Sequence, residues 1–96
     1  MITGKIVGTV VATNKVESLI SMKFLIVRRM GISGKLTDDY VVAVDAVDAG
    51  VGEIVLVASG SSARQTDFTD KRPVDAIIMA IVDTFEVDNK IVYQKD

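Results

Sequence analysis

Ninety-six residues, 49% of them hydrophobic and with a net charge of −2, suffice for one barrel or sandwich that buries roughly 60–70% of its unfolded surface. Cysteine and histidine are both absent, which excludes disulfides, thiolate nucleophiles, imidazole bases and the usual zinc ligands. Lysine and arginine stand singly except at Arg28-Arg29 and Lys71-Arg72, so there is no basic stripe of the kind a phosphate backbone requires.

In chain order, the first fifteen residues carry one early lysine and an apolar run broken at Gly8-Thr9. That is neither a signal peptide nor a membrane span, and a soluble, cytoplasmic protein is expected. Valine (16) and isoleucine (10) far outnumber leucine (4). These β-branched side chains favour pleated strands over helices, so the fold is expected to be mainly β. Residues 5–13 alternate as a strand, residues 14–22 form a polar connection, and residues 23–28 form a second strand. Gly31 and Gly34 mark a loop. Residues 40–47 and 53–58 are apolar strands joined by a tight turn over residues 48–52.

Ser62-Ala63-Arg64-Gln65 fits a capping box. The serine hydroxyl accepts from the third helical amide, and the Gln65 side chain reaches back to the cap amide. A short helix is therefore expected to begin at Ser61 or Ser62. Residues 66–72 are turn-like, Pro73 stops any helix, and residues 75–83 form the longest apolar strand. A final hairpin turns at Asp88-Asn89. No internal repeat divides the chain, and one domain over residues 1–96 is expected.

The strands at residues 40–47, 54–58 and 76–82 are apolar on both faces, whereas a half-solvated strand alternates. One short helix cannot cover the second face. Another copy of the chain can, because soluble monomers seldom leave broad apolar patches open to water. Homo-oligomerisation is the expectation.

No constellation for catalysis emerges. Asp75 and Asp83 lie roughly 26 Å apart along a straight strand at about 3.3 Å per residue, too far to share a substrate. Lys5, Lys15 and Lys23 have no neighbours that suggest a depressed pKa. Helix N-termini attract anions, but capping accounts for Ser61 and Ser62 without a ligand. Arg64 is expected to pair with a carboxylate within the subunit or across an interface. Gly50 and Gly52 permit positive φ, as a turn between strands needs. No cofactor or metal is indicated, and no enzyme activity is expected.

Several ordered segments carry a family resemblance: Val10-Val11-Ala12-Thr13, Lys23-Phe24-Leu25, Val44-Asp45, Ala49-Gly50-Val51-Gly52-Glu53, Val55-Leu56-Val57, Gly60-Ser61-Ser62-Ala63-Arg64-Gln65, Pro73-Val74-Asp75 and Ile81-Val82-Asp83. Together they resemble the EutN/CcmL vertex proteins of bacterial microcompartments. The resemblance implies a small, closed, five-stranded OB-like β-barrel with one short helix and a C-terminal hairpin. It implies a structural role: homopentamers, seen as hexamers in some isolated members, that cap the vertices of a polyhedral shell and meet hexameric shell proteins at their edges. Asp48, Ala49, Gly50, Val51 and Gly52 are then a candidate loop at the five-fold axis, with Asp48 where the family usually has glycine. Aspartate tolerates the left-handed region better than most residues, so the turn is expected to survive. Five Asp48 carboxylates around an axis would favour cations. Ser61, Ser62, Arg64 and Gln65 are the helix cap and a candidate subunit interface. Residues 14–22, 31–39 and 66–72 are candidate rim loops.

The alternative is an OB-type nucleic-acid or small-ligand binding module, which needs stacking aromatics in a basic groove. The chain offers Phe24, Tyr40, Phe68, Phe85 and Tyr93 on an acidic balance. Neither nucleic acid nor membrane is an expected partner.

Overall fold

The computed structural model describes residues 1–12, 15–19, 21–60 and 75–95. Five strands, β1 (Ile2–Val10), β2 (Phe24–Met30), β3 (Leu36–Asp45), β4 (Ile54–Ser59) and β5 (Ala76–Ile81), close into a barrel in the order β1-β2-β3-β5-β4 and back to β1. Every neighbouring pair is antiparallel except β3 and β5, which run parallel at Val44 opposite Ile77 and Asp45 opposite Ile78. This is the five-stranded OB-like barrel that the family resemblance implies. A separate two-stranded sheet follows, β6 (Thr84–Val87) and β7 (Lys90–Gln94). Its turn has positive φ at both Asp88 (53°) and Asn89 (63°), the backbone that matches the twist of a two-residue hairpin. A single 3-10 turn, Glu17–Leu19, precedes β2. The helix expected at Ser61 or Ser62 lies outside the described residues.

Three details differ from the sequence reading. β1 starts at Ile2 because β4 captures it from Ile2 opposite Val57 onward, so the ladder outranks the small and polar residues before Lys5. β3 starts at Leu36, paired with Met30 beyond a bulge in the β2–β3 ladder. There the Thr37 hydroxyl donates to the Arg29 carbonyl at 3.0 Å. Finally, the connection between β3 and β4 is not a hairpin, because β5 lies between those strands in the barrel.

The barrel interior is filled by Ile6, Leu25, Val27, Ala43, Val55, Val57, Ala76 and Ile78, with Ala49 packed in from the β3–β4 loop. Burying each Val or Ile side chain contributes about 1.5–3 kcal/mol. Gly4 is buried on β1, and a Cβ there would collide with the Val27 side chain and stand 2.8 Å from the Arg28 carbonyl oxygen. The absent side chain lets β1 and β2 close on a full-sized valine. Part of the second apolar face is covered within the subunit: Met22, Leu19 and Phe24 pack over Val44, and Ala58 packs against Ile77. Tyr40, Val42 and Met79 remain exposed.

Candidate functional site

The loop from residue 46 to 53 is built around the buried carboxylate of Asp45, the terminal residue of β3. One of its oxygens accepts the Val47 amide at 3.0 Å and the other the Ala49 amide at 2.9 Å. These bonds turn the chain inward, so that Ala49 joins the core while Asp48 on one side and Gly50 on the other face solvent. Asp48 sits in the left-handed region at φ 58° and Gly52 at φ 96°. Asp48 therefore adopts a backbone that glycine also takes readily, as the expectation for that position required. Val51 forms the exposed tip. The loop's return is pinned to β1, since Gly52 donates to the Ile6 carbonyl at 2.8 Å and Ile6 donates to Glu53 at 3.0 Å.

Two lysines frame this loop through three ion pairs. Lys23, at the entry to β2, donates to Asp48 at 3.2 Å and lies 3.7 Å from the Asp45 carboxylate. The hydrogen bond and charge of Asp48 hold the Lys23 ammonium above the usual lysine range. On the opposite flank, Glu53 accepts the Gly50 amide at 2.6 Å with one oxygen and pairs with Lys95 at 2.7 Å through the other. The hydrogen bond from Lys95 draws the Glu53 pKa down and that from Glu53 draws the Lys95 pKa up. Both lysines are open to solvent, as is Asp48, so the Lys23–Asp48 and Lys95–Glu53 pairs position the loop more than they stabilise the fold.

Asp48, Ala49, Gly50, Val51 and Gly52 thus come together on one loop, as the sequence suggested. Asp45, Lys23, Glu53 and Lys95 complete it and were not singled out as site residues. A lone carboxylate inside the apolar run Val42-Ala43-Val44-Asp45-Ala46-Val47 was the available signal for Asp45. Ser61, Ser62, Arg64 and Gln65 lie outside the described residues. The described aromatics are dispersed: Phe85 and Tyr93 stack on each other at 6.1 Å, Phe24 lies under Lys15, and Tyr40 lies under Arg28. They form no common stacking platform.

The surface also carries a groove of about 280 Å³ where the hairpin leaves the barrel, lined by Thr3, Ile32, Leu56, Val82 and the four residues of β6. Elsewhere Tyr40 and Val42 of β3 stand 56% and 50% exposed.

A family model described as "Ethanolamine utilisation protein EutN/carboxysome" matches residues 1–83. The carboxysome shell vertex protein CcmL of Gloeobacter violaceus is 44% identical over 92 residues, covering 96% of this chain and 92% of that protein. The bacterial microcompartment shell vertex protein GrpN of Rhodospirillum rubrum is 50% identical over 91 residues, covering 93% and 100%. Among solved structures, that of Gloeobacter violaceus CcmL matches with a TM-score of 0.95 at 43% identity, covering 99% of this chain and 98% of that one. The GrpN pentameric microcompartment shell protein from Rhodospirillum rubrum matches with a TM-score of 0.84 at 46% identity, covering 91% and 99%.

Proposed function

The chain belongs to the EutN/CcmL family, and from that membership we propose that it is a structural subunit of a bacterial microcompartment shell, forming homopentamers that occupy the shell vertices. The observation that carries this reading is the end-to-end match to shell vertex proteins, above all to GrpN, whose solved structure is that of a pentameric shell protein. Residues 1–96 act as one barrel domain, located in the shell within the cytoplasm.

A hexagonal sheet is flat, and a five-fold unit supplies the curvature that closes it. The partners are therefore identical subunits within the pentamer and hexameric shell proteins at its rim, with the polar segments at residues 15–19 and 31–35 as the candidate contacts. The role is architectural, without catalysis and without a cofactor. Dispersed aromatics and the acidic balance favour this reading over an OB-type nucleic-acid binder. The loop Asp48, Ala49, Gly50, Val51 and Gly52 faces the five-fold axis. One Lys23 set against Asp45 and Asp48 leaves one uncompensated negative charge per subunit there.

Co-expression with hexameric shell proteins, followed by electron microscopy, tests the reading. Closed polyhedral shells are expected only when this chain is present, with open sheets or tubes in its absence. Shells that close equally well without it would contradict the vertex role.

A further inference from the structure

A closed ring of five identical subunits is held by heterologous contacts, so each subunit must present two different, mutually complementary patches, one to each neighbour. The described surface offers two such patches. The first is the groove at the junction of barrel and hairpin, where Ile32, Leu56, Val82, Phe85 and Val87 supply an apolar lining and Glu86 the charged residue. Its volume, about 280 Å³, falls just under the roughly 300–1,000 Å³ of small-molecule sites, a size suited to an inserted side chain. The second patch is the outer face of β3, where Tyr40 and Val42 stand exposed and the Arg28 guanidinium lies over the Tyr40 ring at 5.7 Å. Tyrosine and arginine are enriched at the centres of subunit interfaces.

The two patches differ in shape: one is a concave groove that carries Glu86, the other a sheet face with an aromatic ring and an arginine that pairs with Asp38 at 3.4 Å in its own subunit. They also lie on different sides of the barrel, since β2 separates β3 from β1 and β5 separates it from β4, the two strands that floor the groove through Thr3 and Leu56. The hairpin supplies a further reason for a partner. A two-stranded sheet is marginal alone in water, and β6 and β7 pair only with each other among the described residues. The described ties between hairpin and barrel are few: the Glu53 to Lys95 ion pair and the seating of Val92 near Gly34. Ile91 remains 57% exposed.

We propose that the groove beside the hairpin is one half of the contact between subunits, and that the Tyr40 and Val42 face of a neighbouring copy fills it. This rests on the pentamer reading above and deepens it by assigning the two surfaces. Each groove is completed by the next subunit around the ring, so the hairpin is stabilised by assembly.

The chain contains no cysteine, which makes cross-linking clean. Ile32→Cys and Val42→Cys both fall at exposed positions, 67% and 50% accessible, one in each patch. The purified double variant, treated with a short bismaleimide, is expected to give a covalent ladder up to five chains. Each single variant alone is expected to stay single-chain, and a mixed assembly of the two singles to stop at two chains. Native mass is measured on the same samples before cross-linking. A five-chain mass without a ladder overturns this assignment of surfaces and leaves the pentamer reading standing. A single Val42→Cys variant that links to itself also overturns it, because like faces would then meet. A one-chain mass removes both readings together.

Discussion

Glu53 and Lys95, forty-two residues apart in sequence, meet at 2.7 Å, and the same Glu53 carboxylate holds the Gly50 amide at 2.6 Å with its other oxygen. One side chain thereby ties the end of the chain to the turn of the loop proposed to face the five-fold axis. The shifts of both partners set the pH range of this tie. Glu53 has a lowered pKa, so its contribution is present above the ordinary carboxylate range and is lost as pH falls through the lowered value. Lys95 has a raised pKa, so its contribution is present below the ordinary lysine range and is lost only at strongly alkaline pH.

Glu53→Gln is therefore expected to leave stability nearly unchanged at pH 3 and to lower it at pH 7, which flattens the acid limb of a melting-temperature profile. Glu53→Ala, which removes both acceptor oxygens, is expected to speed exchange of the Gly50 amide at neutral pH, read by hydrogen exchange. An unchanged Gly50 exchange rate would contradict the tie.

Asp45→Ala removes the acceptor for the Val47 and Ala49 amides. Leaving such groups without a partner costs about 1–3 kcal/mol, so a loss of about 2–3 kcal/mol is expected in chemical denaturation at fixed protein concentration. Asp45→Asn keeps one acceptor oxygen and is expected to lose less.

At Asp48 the backbone is left-handed, which a β-branched residue adopts at a cost of about 1–2 kcal/mol. Asp48→Val is expected to destabilise by that amount, and Asp48→Gly to be close to neutral. Asp48→Asn keeps the backbone but removes the charge that faces Lys23. The Lys23 titration midpoint, followed by NMR, is then expected to move down toward the ordinary lysine value.

Gly4→Ala places a methyl group against Val27 and the Arg28 carbonyl. Overpacking of this kind costs about 1–3 kcal/mol, and combining it with Val27→Ala is expected to recover part of that loss. Additive destabilisation in a double-mutant cycle would show that the two sites do not compete for the same space.

The strands were legible because they are written in β-branched runs, whereas the closed five-stranded barrel was implied by the family resemblance. The 75–83 run holds β5 over Ala76–Ile81, and Asp88-Asn89 became the hairpin turn, since each signal is local. The strand starts at Ile2 and Leu36 were not, because long-range partners, β4 for the one and Met30 on β2 for the other, extend the strands into polar or small residues. The expected tight turn at residues 48–52 lies in a loop that connects strands separated in the barrel by β5, and nothing local encodes that insertion. The two-faced strands pointed to a partner. Part of that face is met inside the subunit by Leu19, Met22 and Phe24, a contact between a polar-looking connection and β3 that periodicity does not reveal. At the candidate axis loop, the residues carrying the turn were readable as a motif. Lys23 and Lys95 were not, because they reach it from just before β2 and from beyond β7.

Native mass spectrometry of the purified chain at micromolar concentration tests the five-fold vertex role, and a dominant species of five times the 10.3 kDa chain is expected. A species that remains at one or two chains across that concentration range would contradict it.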